Sequence, residues 1–155
     1  MLRLKNATVR QGTFSLSADM TLEQGQKYAV IGPSGAGKST LLSALCGFTP
    51  FDQGLLSWNE QNITQSAPGA RPMTMLFQDN NLFPHLTLLQ NVGLGLRPDM
   101  RLGAGEKEQV NEALKRVGLM DHAHKRPGTL SGGQQSRAAL ARVLVQARPL
   151  VLLDE

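Results

Sequence analysis

A glycine-rich segment that ends in a lysine and two hydroxyl residues is the strongest chemical signal in this chain. It comprises Gly32, Pro33, Ser34, Gly35, Ala36, Gly37, Lys38, Ser39 and Thr40, with the spacing G-x-x-x-x-G-K-S. Glycines permit positive φ and close backbone approach, so successive amide N–H groups can converge on phosphate oxygens. Lys38 adds a positive charge for the β- and γ-phosphates, and the Ser39 hydroxyl is the expected Mg²⁺ ligand. The segment therefore predicts a nucleotide phosphate site rather than a glycine-rich turn that merely connects two elements.

The elements around this segment must position it. Residues 28–31 are apolar and predict a buried strand, whereas residues 39–46 predict a helix. The glycines would then lie at a strand-to-helix turn, where the positive end of the helix faces the phosphates.

A second cluster combines a helix start with two glycines. It comprises Leu130, Ser131, Gly132, Gly133 and Gln134. Ser131 and Gln134 have the spacing of a capping box, and the helix-forming residues that follow continue until Pro149. Glycines in a first helical turn are costly, but they leave bare amides that can face an anion. A capping box alone is common. This one indicates a nucleotide site only because the same chain also contains the glycine-rich segment.

The chain ends in an apolar run and two carboxylates. Leu150–Leu153 predicts a short strand buried on both faces, which would deliver Asp154 and Glu155 to the carboxyl edge of a parallel sheet. Asp154 could hold Mg²⁺ through water, and Glu155 could polarise an attacking water. Two carboxylates after a strand can be merely solvated, but in a chain with a phosphate loop they favour the catalytic interpretation.

In this order, the three segments resemble the Walker A, signature and Walker B motifs of ABC transporter ATPases. Gln78, which follows a predicted strand at residues 73–77, is similar to the glutamine of that family's Q-loop. The resemblance implies that the chain binds ATP and Mg²⁺. It also implies that Glu155 and Gln78 are catalytic, and that the metal is held by Ser39, Gln78 and Asp154.

The resemblance implies partners as well. In a head-to-tail homodimer, residues 130–134 of one subunit would cover the γ-phosphate held by Lys38 of the other. The segment after Gln78 would meet a transmembrane permease, and a periplasmic solute-binding protein would act indirectly. The implied location is peripheral, on the cytoplasmic face of the bacterial inner membrane.

Within the family, residues 75–96 and 46–48 are similar to the ATPases of bacterial thiamine importers. The implied function is ATP hydrolysis that energises import of thiamine or a thiamine phosphate. Three alternatives stay open: an importer ATPase for another small solute, a soluble ABC ATPase of DNA repair or translation, and a nucleotide-binding fragment without turnover. The short segment between Gln78 and Ser131 leaves no room for a coiled-coil insertion, which disfavours the repair class.

The implied fold is α/β, a P-loop NTPase cassette with a mostly parallel core sheet, an N-terminal antiparallel β layer and an inserted helical subdomain. Within one partial ATPase domain, we assign residues 1–78 to the β layer and nucleotide core, 79–130 to the helical subdomain, and 131–155 to the signature helix and Walker B strand. Because family members continue past the Walker B glutamate, we expect a C-terminally truncated cassette. It should expose apolar surface at Leu150–Leu153 and lack sustained turnover.

Composition supports a globular α/β domain and argues against nucleic acid as a partner. The chain has 155 residues, 41% of them hydrophobic, and a formal net charge of +4. The basic residues are scattered and aromatic residues make up only 5%, so no base-stacking basic patch is expected. Cys46 is the single cysteine, and we expect it to be buried. His122 and His124 fit solvated surface positions better than a metal pair, and Phe14 fits the core better than an adenine-stacking site.

Overall fold

The computed structural model describes residues 1–154, so Glu155 lies outside the described residues. The chain divides into two compact units. The first consists of residues 1–73 together with Asp154, and the second contains residues 74–153.

The first unit is built on a four-stranded antiparallel sheet. Its strands are β1 (Leu2–Gln11), β2 (Phe14–Leu22), β3 (Gln53–Trp58) and β4 (Gln61–Asn62). They lie in the order β2-β1-β3-β4, and each neighbouring pair is antiparallel. The polar–apolar alternation near the start of the chain therefore forms the predicted antiparallel layer.

One helix, α1 (Lys38–Cys46), contacts β1 of this sheet. The core of the unit is made by branched aliphatic side chains on the inner faces of these elements: Leu2, Leu4, Val9, Leu41, Leu45 and Leu56. The predicted helix after the glycine-rich segment is confirmed. Its buried side places the helix N-terminus, and with it the end of the glycine-rich segment, at a fixed point on the unit.

Residues 28–31 form no strand, so the buried strand predicted before the glycine-rich segment is wrong. The side chains of Tyr28, Val30 and Ile31 are 52%, 47% and 92% exposed. A strand needs hydrogen bonds from a neighbouring strand, and within residues 1–154 none pairs with this segment. Apolar composition indicates a tendency to form a strand, but it does not reveal whether a partner strand is available.

The second unit is mainly helical. α2 (Leu88–Gly93), α3 (Ala104–Arg116) and α4 (Gly132–Val145) contact one another. They enclose an aliphatic core that includes Leu88, Val92, Val110, Leu114, Val117, Ala138 and Ala141. Val110, Leu114 and Val117 recur at helical spacing and form the packed face of α3. Arg116 lies 3.7 Å from Glu112 on the solvent side of the helix.

Two short strands also belong mainly to the second unit. β5 (Met73–Leu76) and β6 (Leu150–Leu153) pair with each other. In β6 only Leu152 is buried, whereas Val151 and Leu153 are 41% and 53% exposed. The predicted burial of both faces is therefore wrong, while the expected exposure of apolar surface is confirmed. With β5 as its one neighbour in the described chain, β6 keeps an open side.

No helix within residues 1–154 has both the length and the apolar character needed to cross a bilayer.

Candidate functional site

The glycine-rich segment forms an exposed turn that leads directly into α1. Gly35 and Gly37 have φ of +80° and +91°, and Gly37 is the residue that caps the helix. No side chain caps the N-terminus of α1, and its first turn carries no acidic residue. The first amide groups of the helix are therefore available to an anion, and the partial positive charge of the helix end favours one.

The ring of Phe14 stands against this turn. A Cβ atom added to Gly37 would lie 2.6 Å from Cζ of Phe14 and 3.6 Å from a methyl group of Leu16. Phe14 was expected in the core, but its side chain is only partly buried. Its ring lies against Gly37, so β2 supports one side of the glycine-rich segment.

Lys38 folds back over the loop it follows. Its Nζ donates to the carbonyl oxygens of Gly32 and Pro33, both at 2.8 Å. The ammonium group is thereby held over the mouth of the turn. Both acceptors are neutral backbone carbonyls, which an anionic phosphate oxygen can replace.

Ser39 and Asp154 meet although 115 positions separate them in the sequence. The Ser39 hydroxyl donates to Oδ1 of Asp154 at 2.8 Å. Hydroxyl and carboxylate oxygens suit Mg²⁺, which usually takes one or two protein ligands together with water and substrate phosphates. Within residues 1–154 no group of three or more His, Cys, Asp or Glu side chains could hold a metal. The oxygen pair therefore fits a shared protein–phosphate Mg²⁺ site and not an all-protein cage.

Gln78 is exposed in the turn that follows β5. The next residues are fixed by a side chain that the sequence analysis did not single out, Arg142 of α4. Its guanidinium donates to the carbonyls of Asn80 at 3.0 Å and Asn81 at 2.8 Å, and both asparagines have positive φ. Burial lowers the pKa of Arg142, but an arginine remains charged at neutral pH.

The second cluster has the predicted helix start. Ser131 caps α4: its Oγ accepts from the Gln134 amide at 3.3 Å, and Oε1 of Gln134 accepts from the Ser131 amide at 2.9 Å. A Cβ atom added at Gly132 or Gly133 would meet nothing within 4 Å. The first turn of α4 therefore presents bare backbone to open space, as the anion-binding interpretation requires. Leu130 is buried below it.

The structure brings some predicted site residues together within a unit. Residues 32–40 and Asp154 share the first unit, whereas Gln78 and residues 130–134 belong to the second. Glu155, the predicted catalytic carboxylate, lies outside the described residues.

Two buried polar residues were missed by the sequence analysis. Asn91 is fully buried and holds the loop before α2, because its side chain accepts from the Phe83 amide and donates to the carbonyls of Phe83, Leu86 and Thr87. Arg71 is 2% exposed and donates to backbone carbonyls near the end of α1. Neither residue belongs to a local sequence motif. The last turn of α1 contains no basic residue, which indicates that a cation from elsewhere in the chain could bind its carbonyls, as Arg71 does.

The cysteine and two of the histidines can be compared with their expected burial. Cys46 is buried, and burial raises the pKa of its thiol to about 11 despite the opposing effect of the nearby Arg71 charge. His124 is exposed. His122 is half-buried, and its Nδ1 has no hydrogen-bond partner in the described chain, so its assignment as a solvated residue is wrong.

Comparison with known families identifies this arrangement. The profile of the ABC transporter family matches residues 16–155. The chain belongs to the ABC transporter family. The cassette is 54% identical over all 155 residues to the "Thiamine import ATP-binding protein ThiQ" of Ruegeria sp. and to that of Cereibacter sphaeroides, and it covers 67% of each. The protein of the same name from Haemophilus influenzae is 46% identical and 72% covered.

Solved structures agree on the fold. The cassette superposes with a TM-score of 0.85 and 30% identity on a dimeric ATP-binding cassette in a post-hydrolysis state bound to ADP and Pi, covering all of this chain and 74% of that one. A second dimeric structure of the same protein, described as a bacterial ABC transporter cassette, gives a TM-score of 0.83 at 30% identity with the same coverage. The predicted ABC cassette fold is thereby confirmed, and family membership makes this chain a nucleotide-binding ATPase domain.

Proposed function

We propose that this chain binds ATP with Mg²⁺ and hydrolyses it as the energy-coupling subunit of a bacterial thiamine importer. The observation that carries the MgATP part of the proposal is the 2.8 Å hydrogen bond between Ser39 and Asp154. It joins the hydroxyl at the start of α1 to the carboxylate that follows β6, the two oxygen ligands that the motifs predict for one metal ion.

Residues 32–40 bind the phosphates. The amides of the turn and of the first turn of α1 donate to phosphate oxygens, and the α1 N-terminus adds partial positive charge. Lys38 exchanges its bonds to the Gly32 and Pro33 carbonyls for bonds to the terminal phosphates. Because phosphate oxygens are anionic whereas carbonyl oxygens are neutral, the Lys38 ammonium bonds more strongly to phosphate, and this exchange favours the nucleotide-bound state.

Ser39, Asp154 and Gln78 would hold Mg²⁺. When bound, the ion neutralises charge on the phosphates during transfer. Glu155 accepts a proton from the attacking water, and Gln78 orients that water for in-line attack. The protein forms no covalent bond to the phosphate in this mechanism, because positioning and charge stabilisation account for most of phosphoryl-transfer catalysis.

Residues 130–134 would contact the nucleotide of a second subunit. The bare first turn of α4, with open space at Gly132 and Gly133, supports this role because it leaves amides free for the γ-phosphate. The solved relative described above is dimeric in both of its structures, which supports a homodimer. Residues 79–130 would be the helical subdomain inserted between residues 1–78 and the signature helix.

The importer assignment rests on the relatives. Proteins named as thiamine import ATPases match the whole chain at 46–54% identity. In this role the chain lies on the cytoplasmic face of the inner membrane and contacts a permease through the segment after Gln78, and a periplasmic solute-binding protein supplies the solute. No nucleic acid takes part.

Release of inorganic phosphate from MgATP tests the enzymatic part of this proposal. The chain is compared with Lys38→Ala and with a form extended to the length of its relatives. Turnover in the extended form that Lys38→Ala abolishes supports the ATPase role. Nucleotide binding without phosphate release in either form would instead identify a binding fragment without turnover.

Reconstitution tests the solute. The extended chain is combined in vesicles with its cognate permease and solute-binding protein, and phosphate release is measured with thiamine, with thiamine phosphate and with an unrelated solute. Stimulation by thiamine or thiamine phosphate alone is expected. Stimulation only by another solute would refute the thiamine assignment and retain the importer.

A further inference from the structure

Arg71 is a buried cation whose described partners are all backbone carbonyls. Nη1 donates to Ala44 at 2.7 Å and to Leu45 at 2.6 Å, Nε donates to Ser66 at 3.0 Å, and Nη2 donates to Thr64 at 2.9 Å. Within residues 1–154 no carboxylate forms an ion pair with it. Desolvation lowers the pKa of Arg71. A charge in this setting must be compensated by dipoles, and the carbonyls supply them.

Two of these carbonyls belong to the last turn of α1. A helix end carries partial negative charge because its final carbonyls have no partner within the helix. In α1 the turn after the helix satisfies two of them: Gly47 donates to Ala44 at 3.1 Å and Phe48 donates to Ser43 at 3.0 Å. Arg71 satisfies Leu45, adds a second bond to Ala44, and supplies the cation that the last turn of α1 lacks.

Gly47 lies directly against this guanidinium, with no room for a side chain between them. Its φ of +87° is a left-handed helix cap, and a Cβ atom there would lie 2.7 Å from Nε and 2.8 Å from Cζ of Arg71. The missing side chain at position 47 therefore leaves the space that Arg71 fills. The two residues form one unit of packing at the C-terminal end of α1.

The opposite end of the same helix is the phosphate site. α1 has nine residues, so it is about 13 Å long and behaves as a short rigid rod. Residues 32–36 are exposed, so apart from the Phe14 ring against Gly37 the N-terminal end is positioned by how the rest of the helix is held. Movement at the C-terminal end would displace the amides that converge on the phosphates.

We propose that Arg71 is a positioning residue for nucleotide binding: by clamping the C-terminal end of α1 to the segment 64–66, it fixes the orientation of the phosphate loop at the other end. The proposal rests on the nucleotide-binding function proposed above. Arg71 touches no nucleotide. It acts by raising the fraction of molecules in which α1 is in the binding-competent position, and a lower fraction weakens the apparent affinity in proportion.

Titration with a fluorescent ATP analogue and Mg²⁺ tests this inference on Arg71→Met, Arg71→Lys and Gly47→Ala. We expect the Kd to rise about tenfold for Arg71→Met, as it would if the competent fraction fell to about a tenth. Arg71→Lys should lie between it and the wild type, because an ammonium keeps the charge but lacks the planar fork. Gly47→Ala should act in the same direction by displacing the guanidinium. Its effect and that of Arg71→Lys should combine less than additively, since both act through one contact.

Two controls separate positioning from loss of charge or stability. Arg3→Met removes an exposed arginine of the same unit and should leave the Kd within about twofold of the wild type. Leu2→Ala removes a buried β1 side chain and should lower the urea midpoint while the folded protein binds normally. Each titration is made where far-UV circular dichroism matches the wild type; if Arg71→Met does not fold, Arg71→Lys and Gly47→Ala decide the matter.

Wild-type affinity in the folded Arg71 and Gly47 variants would overturn the inference. A Kd that rises equally in Leu2→Ala would overturn it as well, because the effect would then follow stability alone. Failure of the wild-type chain to bind MgATP is a different result, since it would refute the proposed function itself.

Discussion

Gly37→Ala should weaken MgATP binding far more than Gly35→Ala, although both substitutions add one methyl group to the same loop. Both glycines have left-handed φ, +80° at Gly35 and +91° at Gly37. At Gly35 an added Cβ meets nothing within 4 Å, whereas at Gly37 it would lie 2.6 Å from Cζ of Phe14. The pair therefore separates backbone strain from collision.

The expected magnitudes follow from these two effects. A residue with a Cβ atom in the left-handed region costs about 1–2 kcal/mol, which applies to both variants. The collision applies only to Gly37→Ala, and because Cζ is the outer end of the half-buried Phe14 side chain it should add only about 1 kcal/mol, the lower end of the overpacking range. The loop is exposed and can relax when empty, but the bound phosphates require the converging amides. The strain therefore appears in the binding free energy, as a Kd about tenfold higher for Gly35→Ala and roughly fiftyfold higher for Gly37→Ala.

The assay is a titration with a fluorescent ATP analogue and Mg²⁺, repeated in a Phe14→Ala background. Removing the ring removes the collision, so Gly37→Ala should then cost no more than Gly35→Ala does. Equal Kd values for the two alanine variants in the wild-type background would refute the reasoning. So would a Gly37→Ala defect that persists unchanged without Phe14.

Three further results are expected. Ser39→Ala should weaken the Mg²⁺ dependence of nucleotide binding more than binding without metal, as titrations with and without chelator will show; equal losses would contradict a metal role. The pKa of the Cys46 thiol is about 11 in the folded chain and near 9.0 in the unfolded chain, so its contribution to stability should be full below pH 9 and lost as the pH rises through 11; the urea midpoint should therefore fall further over that range in the wild type than in Cys46→Ala. Glu155→Gln in an extended chain should bind MgATP and accumulate as a dimer on gel filtration without phosphate release, and an active variant would disprove the role of Glu155.

Local patterns were the most reliable guide to this fold. The capping box of Ser131 and Gln134 depends on residues three positions apart, and it is present as predicted. The face of α3 containing Val110 and Leu114 follows from helical periodicity in the same way. The meeting of Ser39 with Asp154 is not local, and it was predictable only because the motifs of a known family name both residues.

The remaining features depend on contacts that sequence spacing does not encode. Residues 28–31 have the composition of a strand, but within the described chain no neighbour pairs with them. Arg71 bonds to carbonyls 26 and 27 positions away, and Arg142 to carbonyls 61 and 62 positions away. Any arginine can donate hydrogen bonds to backbone carbonyls, so the residue type alone does not predict that these two fix distant segments of the chain.

Binding of a fluorescent ATP analogue with Mg²⁺ to the wild-type chain and to Lys38→Ala decides whether residues 32–40 form a nucleotide phosphate site. Loss of about 3 kcal/mol of charged hydrogen bonding should raise the Kd about a hundredfold. Lys27→Ala, which removes an exposed lysine shortly before the loop, is the matched control and should bind like the wild type. An unchanged Kd in Lys38→Ala, or an equal loss in Lys27→Ala, would contradict the assignment of this loop as the phosphate site.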